Sequence, residues 1–261
     1  MNPDTNLSEE EAILNELVHT LLYQGYSLFP FLEKTPGNRP PTPFGVLYPE
    51  RYCPFNPHMH CRMQTALVVK GTPAMRLSVR VRFLQVEKPG EAVEREISPR
   101  ETTIEKLLQA RAACYFISTP ASPADLKGRV LMQAFPIEGT DTAFRIVVGV
   151  ENGTIPEETA PVTAEIVLKH AFVSTHTILR IRDGEFVSNQ NPGPEWEEAV
   201  KDCINDRTFP VLIGEDNRIM LSSPVILYDH PRLHGDTRSD IFDNLESEET
   251  ETPGLSLSGE G

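Results

Sequence analysis

Hydrophobic and polar residues alternate most regularly in the middle of the chain. There Leu77, Val79, Val81 and Phe83 interleave with Arg76, Ser78, Arg80 and Arg82. A period of two over a full strand length predicts a half-buried β-strand, with its apolar face on a core and its arginines on a solvated face. Strand signals begin at Gln64. Lys88-Pro89-Gly90-Glu91 predicts a turn and Val93–Ile97 the returning strand. Further runs predict strands at Val130–Phe135, Ala143–Val150, Glu165–Leu168, Val173–Ile181, Pro210–Ile213, Ile219–Leu221 and Val225–Leu227. Asp183-Gly184, between Ile181 and Phe186, predicts a hairpin turn, because Asp-Gly supplies the positive φ angles of type I′.

Helical spacing dominates the N-terminus. Ala12, Ile13, Leu17, Val18, Leu21 and Leu22 predict an amphipathic helix over residues 8–23, ending near Gly25. Ser8 and Glu11 have the spacing of a capping box, in which each side chain bonds the other's amide. Weaker helical patterns cover Thr102–Ala113 and Pro194–Ile204. Residues 33–45 read as a loop, since Pro40, Pro41 and Pro43 remove donors and fix φ. Many short strands with frequent turns predict one mainly β domain over residues 1–243. Its expected architecture is a two-sheet sandwich behind the N-terminal helix, and the alternative is an α+β domain with one open sheet. Residues 244–261 are acidic and poor in hydrophobics, which predicts a disordered tail.

Charge narrows the partners. Of the net −14, residues 1–11 carry −4 and residues 236–261 carry −7, so the body between them is left with −3. A near-neutral body has no basic footprint for a phosphate backbone, so no nucleic-acid partner is expected. No apolar run approaches the roughly 18 residues of a membrane span, and no membrane insertion is expected. The acidic start lacks the features of a signal peptide, which predicts a cytoplasmic protein whose four cysteines are reduced.

Three constellations carry candidate chemistry. Cys53, His58, His60 and Cys61 are all good zinc ligands, but four ligands within nine residues are tighter than usual zinc knuckles, and Pro54 and Pro57 stiffen the segment. The bland reading is a loop with two half-buried cysteines and two exposed histidines; no cofactor is expected, with zinc as the alternative. Ser222, Ser223, Tyr228, Asp229 and His230 cluster near the end of the patterned region. A catalytic triad is disfavoured there. Asp229 and His230 are adjacent, and Pro231 pushes His230 toward an extended conformation, so the two side chains point apart. No G-x-S-x-G elbow surrounds either serine. His176, in Ser174-Thr175-His176-Thr177, is either a polar pocket residue or a satisfied structural histidine. The aromatics Tyr23, Tyr26, Phe29, Phe31, Phe44 and Tyr48 read as packing between helix and sheet rather than a stacking platform.

Several segments together resemble one family. LLYQGYSLFPF, TPFGVLYPERY, MQT, STHTILRIRDGEFVS, RTFPVLIGED, LSSPVILYDHPR and DIFD, spread over residues 21–243, are similar to motifs of uncharacterised bacterial proteins associated with nickel–iron hydrogenase gene clusters. The chain departs from that pattern at residues 53–61, where the family form lacks the paired cysteines and histidines. The resemblance implies a hydrogenase accessory role. Taken with the residues, it leads to the expectation of a non-catalytic binding or assembly protein with a protein partner, hydrogenase subunits first among them. Its candidate interaction or pocket residues are Tyr228, Asp229, His230, His176 and Ser222. The alternatives are an enzyme of hydrolase type using His176, Asp229 and His230, and a small metal-binding module at 53–61.

Overall fold

The computed structural model describes residues 3–27, 45–88, 91–119, 124–156 and 163–231. The expected loop up to residue 44, the aromatics Phe29, Phe31 and Phe44, the acidic tail and the DIFD motif lie outside them. The described chain is mainly β. Nine strands hydrogen-bond into one antiparallel sheet: β1 (Arg62–Lys88), β2 (Glu91–Ile97), β3 (Thr102–Thr103), β4 (Ala113–Ser118), β5 (Lys127–Pro136), β6 (Ala143–Asn152), β7 (Val173–Phe186), β8 (Phe209–Ile213) and β9 (Ile219–Ser223). The order is β4-β5-β6-β1-β7-β9-β8, with β2 and β3 also on β1. The expected division into two separately bonded sheets is not seen among the described residues.

The reason lies in β1. Its 27 residues serve several partners in succession: β6 along Arg62–Lys70, β3 at Arg76–Leu77, β2 along Val81–Lys88, and β7 along Val69–Leu84. The far end of the sheet then returns to it. Asp206, just ahead of β8, exchanges two backbone hydrogen bonds with Gln64, of 2.9 and 3.1 Å. Thr65 and Ser222 on β9 also meet side chain to side chain. The sheet therefore curls until β8's leading segment lies against the start of β1. A single long strand gives the alternating pattern of two sheets while belonging to one.

The alternating residues behave as their period requires. Leu77, Val79, Val81 and Phe83 are at most 1% exposed. They join Val130, Met132, Ile146, Val148 and Val150 in one core, where the Phe83 and Phe172 rings stack at 4.5 Å. Helix α2 (Ile104–Ala110) packs against both β1 and β5 and adds buried Ile104 and Leu107. Helix α1 (Pro3–Ser27) buries Leu14, Leu17, Val18, Leu21 and Leu22 and packs on β7 and β1.

That packing corrects the expectation of a solvated arginine face. Arg82 is only 7% exposed, and its guanidinium bonds Glu94 on β2 (Nε, 2.8 Å) and Asn15 on α1 (3.1 Å). Glu11 on α1 pairs with both Arg80 (2.6 Å) and Arg180. Of the three arginines in the pattern, two are thus held beneath the helix by carboxylates and an amide. Helix α1 also starts earlier and ends later than predicted. Pro3 sits at its first position, where a missing N–H costs nothing, so Ser8 lies inside the helix and is not its cap. No helix among the described residues is long and apolar enough to cross a membrane.

Four local expectations change. Asp183-Gly184 lies within β7, not in a hairpin turn, at a bulge where the register against β1 shifts between Gly71 and Arg76. Asp183 takes φ 63°, and the missing side chain of Gly184 admits Met75, whose Sδ would lie 2.0 Å from a Cβ there. The conformational freedom that favours a turn serves a bulge instead. Residues 165–168 belong to helix α3 (Ala164–Lys169), because the Thr163 hydroxyl caps the Ile166 amide at 3.3 Å; a short apolar run cannot distinguish the two states. Only Glu197–Lys201 of the predicted 194–204 helix forms, as α4. Val225–Leu227 is not a strand. Pro224 offers no N–H to the ladder, so β9 stops at Ser223, whose hydroxyl accepts the Val225 amide at 3.1 Å.

Candidate functional site

The buried histidine and serines come from neighbouring strands. Register places Thr177 opposite Ser222, so His176 lies beside Ser223 across β7 and β9. The His176 ring is fully enclosed. Its Nδ1 faces the Ser174 carbonyl at 2.8 Å, and a carbonyl only accepts, so Nδ1 carries the proton. Nε2 then accepts from the Ser223 hydroxyl at 3.2 Å. Burial, reinforced by the Arg82 charge and opposed by the bond to Ser174, lowers the ring's pKa to about 4, so His176 is neutral near pH 7. Ser222 points the other way, bonding Thr65 and, at 2.5 Å, Thr208. His176, Ser222, Ser223, Thr65 and Thr208 are all at most 2% exposed. Each hydroxyl and ring nitrogen has a partner, which is how a sheet tolerates polar side chains in its interior.

Asp229 and His230 sit elsewhere, on the segment 224–231 that follows β9. Asp229 accepts from the Leu212 amide of β8 at 2.8 Å and from the Ser188 hydroxyl at 2.5 Å. Gln190 grips the same segment twice, donating to the Leu227 carbonyl (2.6 Å) and accepting from the Asp229 amide (3.0 Å). The His230 amide donates to the Leu212 carbonyl (2.8 Å), and its Nδ1 faces the Gly214 carbonyl at 2.5 Å. Together these hold His230 at φ 55°, which corrects the extended conformation expected before Pro231. A left-handed non-glycine residue persists only where its surroundings over-determine it. Asp229 and His230 line a cavity of about 280 Å³ with Lys70, Ser188, Glu195 and Trp196; His176 is not in its wall. The convergence that a hydrolase using His176, Asp229 and His230 requires is therefore not present among the described residues.

What the segment presents outward is regular. Ile226 is 55% exposed, Tyr228 72%, and His230 is exposed, while Leu227 between them is 6% exposed and Asp229 is bonded inward. The buried and hydrogen-bonded residues form the anchored side, and the alternate residues form an apolar, aromatic and polar row facing solvent. Nδ1 of His230 donates to the Gly214 carbonyl, which fixes the ring at the end of this row. Sequence reasoning singled out Tyr228, Asp229 and His230 as candidates. It missed Ile226 because it placed that residue in the sheet, and it missed Ser188 and Gln190, whose only signal is the polar run after β7.

The four residues of the possible zinc site divide between two places. His58 and His60 line a pocket of about 260 Å³ with Tyr48, Met63, Arg207 and Phe209. Burial lowers the His60 pKa, and the Arg207 charge adds to it. Cys61 instead lines an open groove with Glu50, Arg62, Lys127 and Arg129. Cys53, in a 3₁₀ turn at Glu50–Phe55, faces the Pro49 carbonyl at 3.7 Å and lies near enough to Cys61 for that thiol to raise its pKa. Among the described residues no three His, Cys, Asp or Glu side chains gather as a set of metal ligands.

No protein-family model matches the sequence, and no curated protein matches it at a significant level.

Proposed function

We propose that this chain is a non-catalytic binding or assembly protein of the cytoplasm that meets a protein partner through segment 224–231. The observation that carries this reading is the alternation of anchored and outward residues there. Leu227 and Asp229 tie the segment to β8 and to Ser188 and Gln190, while Ile226, Tyr228 and His230 face solvent. A rigidly held loop loses little conformational freedom on binding, and exposed tyrosines are frequent anchors of interfaces. The row offers an apolar and aromatic surface ending in an imidazole, which suits an apolar cleft with a polar group at one end. The motif resemblance makes nickel–iron hydrogenase subunits the partner to test, with this chain as an accessory factor. The experiment is co-expression with hydrogenase subunits and affinity capture by wild type, Tyr228→Ala, His230→Ala and a control, Phe116→Ala, at an 84% exposed aromatic on β4. Loss of capture in the first two variants and retention in the control supports the reading. Equal capture by all four refutes it.

A further inference from the structure

The two cysteines at the neck of loop 48–61 form a pair that the binding reading does not use. The loop's ends are closed by a bond of 2.8 Å from the Tyr48 amide to the His60 carbonyl. Cys61 is held from outside the loop and Cys53 from within it. The Cys61 carbonyl accepts the Asn152 amide of β6 at 2.8 Å. Cys53 is fixed in its 3₁₀ turn by the bonds Tyr52 amide to Pro49 carbonyl (3.0 Å) and Asn56 amide to Cys53 carbonyl (3.3 Å). From these two points the thiols lie near enough for Cys61 to raise the Cys53 pKa, and the Cys53 thiol faces the Pro49 carbonyl at 3.7 Å. Their surroundings differ. Cys61 lines the open groove beside Arg62, Lys127 and Arg129, and Cys53 is not among the groove's walls.

We propose that Cys53 and Cys61 are an oxidisable dithiol that a hydroperoxide converts into an intramolecular disulfide, locking the neck of the loop. Cys61 is the attacking sulfur, because it lines the open groove through which a small oxidant arrives. Burial, together with the neighbouring Cys61, pushes the Cys53 thiol up to about 12, so Cys53 stays protonated and serves as the resolving partner. In the first step the Cys61 sulfur attacks the O–O bond and keeps one oxygen as a sulfenic acid, and the other oxygen leaves as water or an alcohol. In the second the Cys53 sulfur attacks the Cys61 sulfur. The S–O bond breaks, the S–S bond forms, and the hydroxyl leaves with the Cys53 proton as water. Two thiols lose two electrons and one hydroperoxide gains them. The ring so closed spans residues 53–61 and contains His58 and His60, so oxidation also fixes one wall of the pocket they share with Arg207.

Cys203 is set apart from this chemistry, since burial raises its thiol to about 11, whereas Cys114 is exposed on β4 and would cross-link between molecules. The test therefore uses the full chain with Cys114→Ser, reduced, desalted and exposed to hydrogen peroxide. The expected product is a monomer lighter by two hydrogens, with a Cys53–Cys61 peptide in a non-reducing digest that dithiothreitol dissolves. With Cys53→Ser added, Cys61 should accumulate as a sulfenic acid trapped by dimedone. A Cys61 sulfinic acid beside an unmodified Cys53 in the Cys114→Ser protein would overturn the proposal. So would a disulfide to Cys203, or stoichiometric zinc that shields both thiols from alkylation. The digest of the Cys114→Ser protein decides the matter even if the Cys53→Ser variant does not fold.

Discussion

Acidification should weaken this fold through one histidine. In the folded chain the His176 ring is enclosed, bonded at both nitrogens and lowered to about 4, chiefly by burial. In the unfolded chain it returns to its ordinary value of 6.5. Between those values the unfolded chain binds a proton that the folded chain does not. Stability is therefore complete above about pH 6.5 and falls as the pH drops toward 4, by about 1.4 kcal/mol per pH unit. Across the window the loss is on the order of 3 kcal/mol, a large fraction of the roughly 5–15 kcal/mol that holds a domain together. Two other groups act nearby. His60, also lowered by burial, contributes in the same direction. Burial alone would raise Glu94, but the bonds from Arg82 and His19 outweigh it and bring it below its ordinary 4.5, so its contribution is lost only at lower pH. The assay is urea unfolding at about pH 7, 6 and 5, comparing wild type with His176→Asn. Asparagine keeps a donor and an acceptor but does not titrate. The variant should be less stable at neutral pH yet lose less with acid, so the two curves converge. Parallel curves between about pH 6 and 5 would show that His176 is not the buried neutral group described.

Three further perturbations test other parts of the fold. Asp229→Ala removes the acceptor of the Leu212 amide and the Ser188 hydroxyl and should cost about 2–3 kcal/mol in chemical denaturation; a change under about 0.5 kcal/mol would mean the segment is not anchored there. Gly184→Ala places a Cβ 2.0 Å from Met75 Sδ and 2.7 Å from the Lys70 carbonyl, and should lower stability by about 1–3 kcal/mol, measured as a lower melting temperature. Ser8→Ala, inside α1 rather than at its cap, should leave stability within about 0.5 kcal/mol of wild type, and a loss above about 1 kcal/mol would restore the capping box.

The elements that sequence made legible are those whose period is set by one buried face. Leu77 to Phe83, Val130 to Phe135 and Leu17 to Leu22 each read correctly, because burial on one side leaves a period of two or 3.6. Closure of the sheet was not legible. The Gln64–Asp206 pairing joins backbone groups far apart in sequence and leaves no pattern in side chains. Asp183-Gly184 and Val225–Leu227 were misread for a related reason: positive φ and apolarity are shared by turns, bulges and anchored loops, and tertiary contacts decide among them. At the candidate site Asp229 divides its acceptors between the Leu212 amide and the Ser188 hydroxyl, partners 17 and 41 residues away that no local pattern announces. The proximity of Cys53 to Cys61 depends on the curl of loop 48–61, which the spacing of its prolines did not reveal.

The central claim, that segment 224–231 is a docking surface, is tested most directly by affinity. Purified hydrogenase subunits would be titrated against wild type and Tyr228→Ala, with the melting temperature of each protein measured alongside. Truncating a central interface tyrosine typically costs at least 2 kcal/mol, so the dissociation constant should rise by roughly 30-fold while the melting temperature stays near wild type. An unchanged dissociation constant in a folded Tyr228→Ala protein, or no binding by wild type to any subunit, would contradict the account.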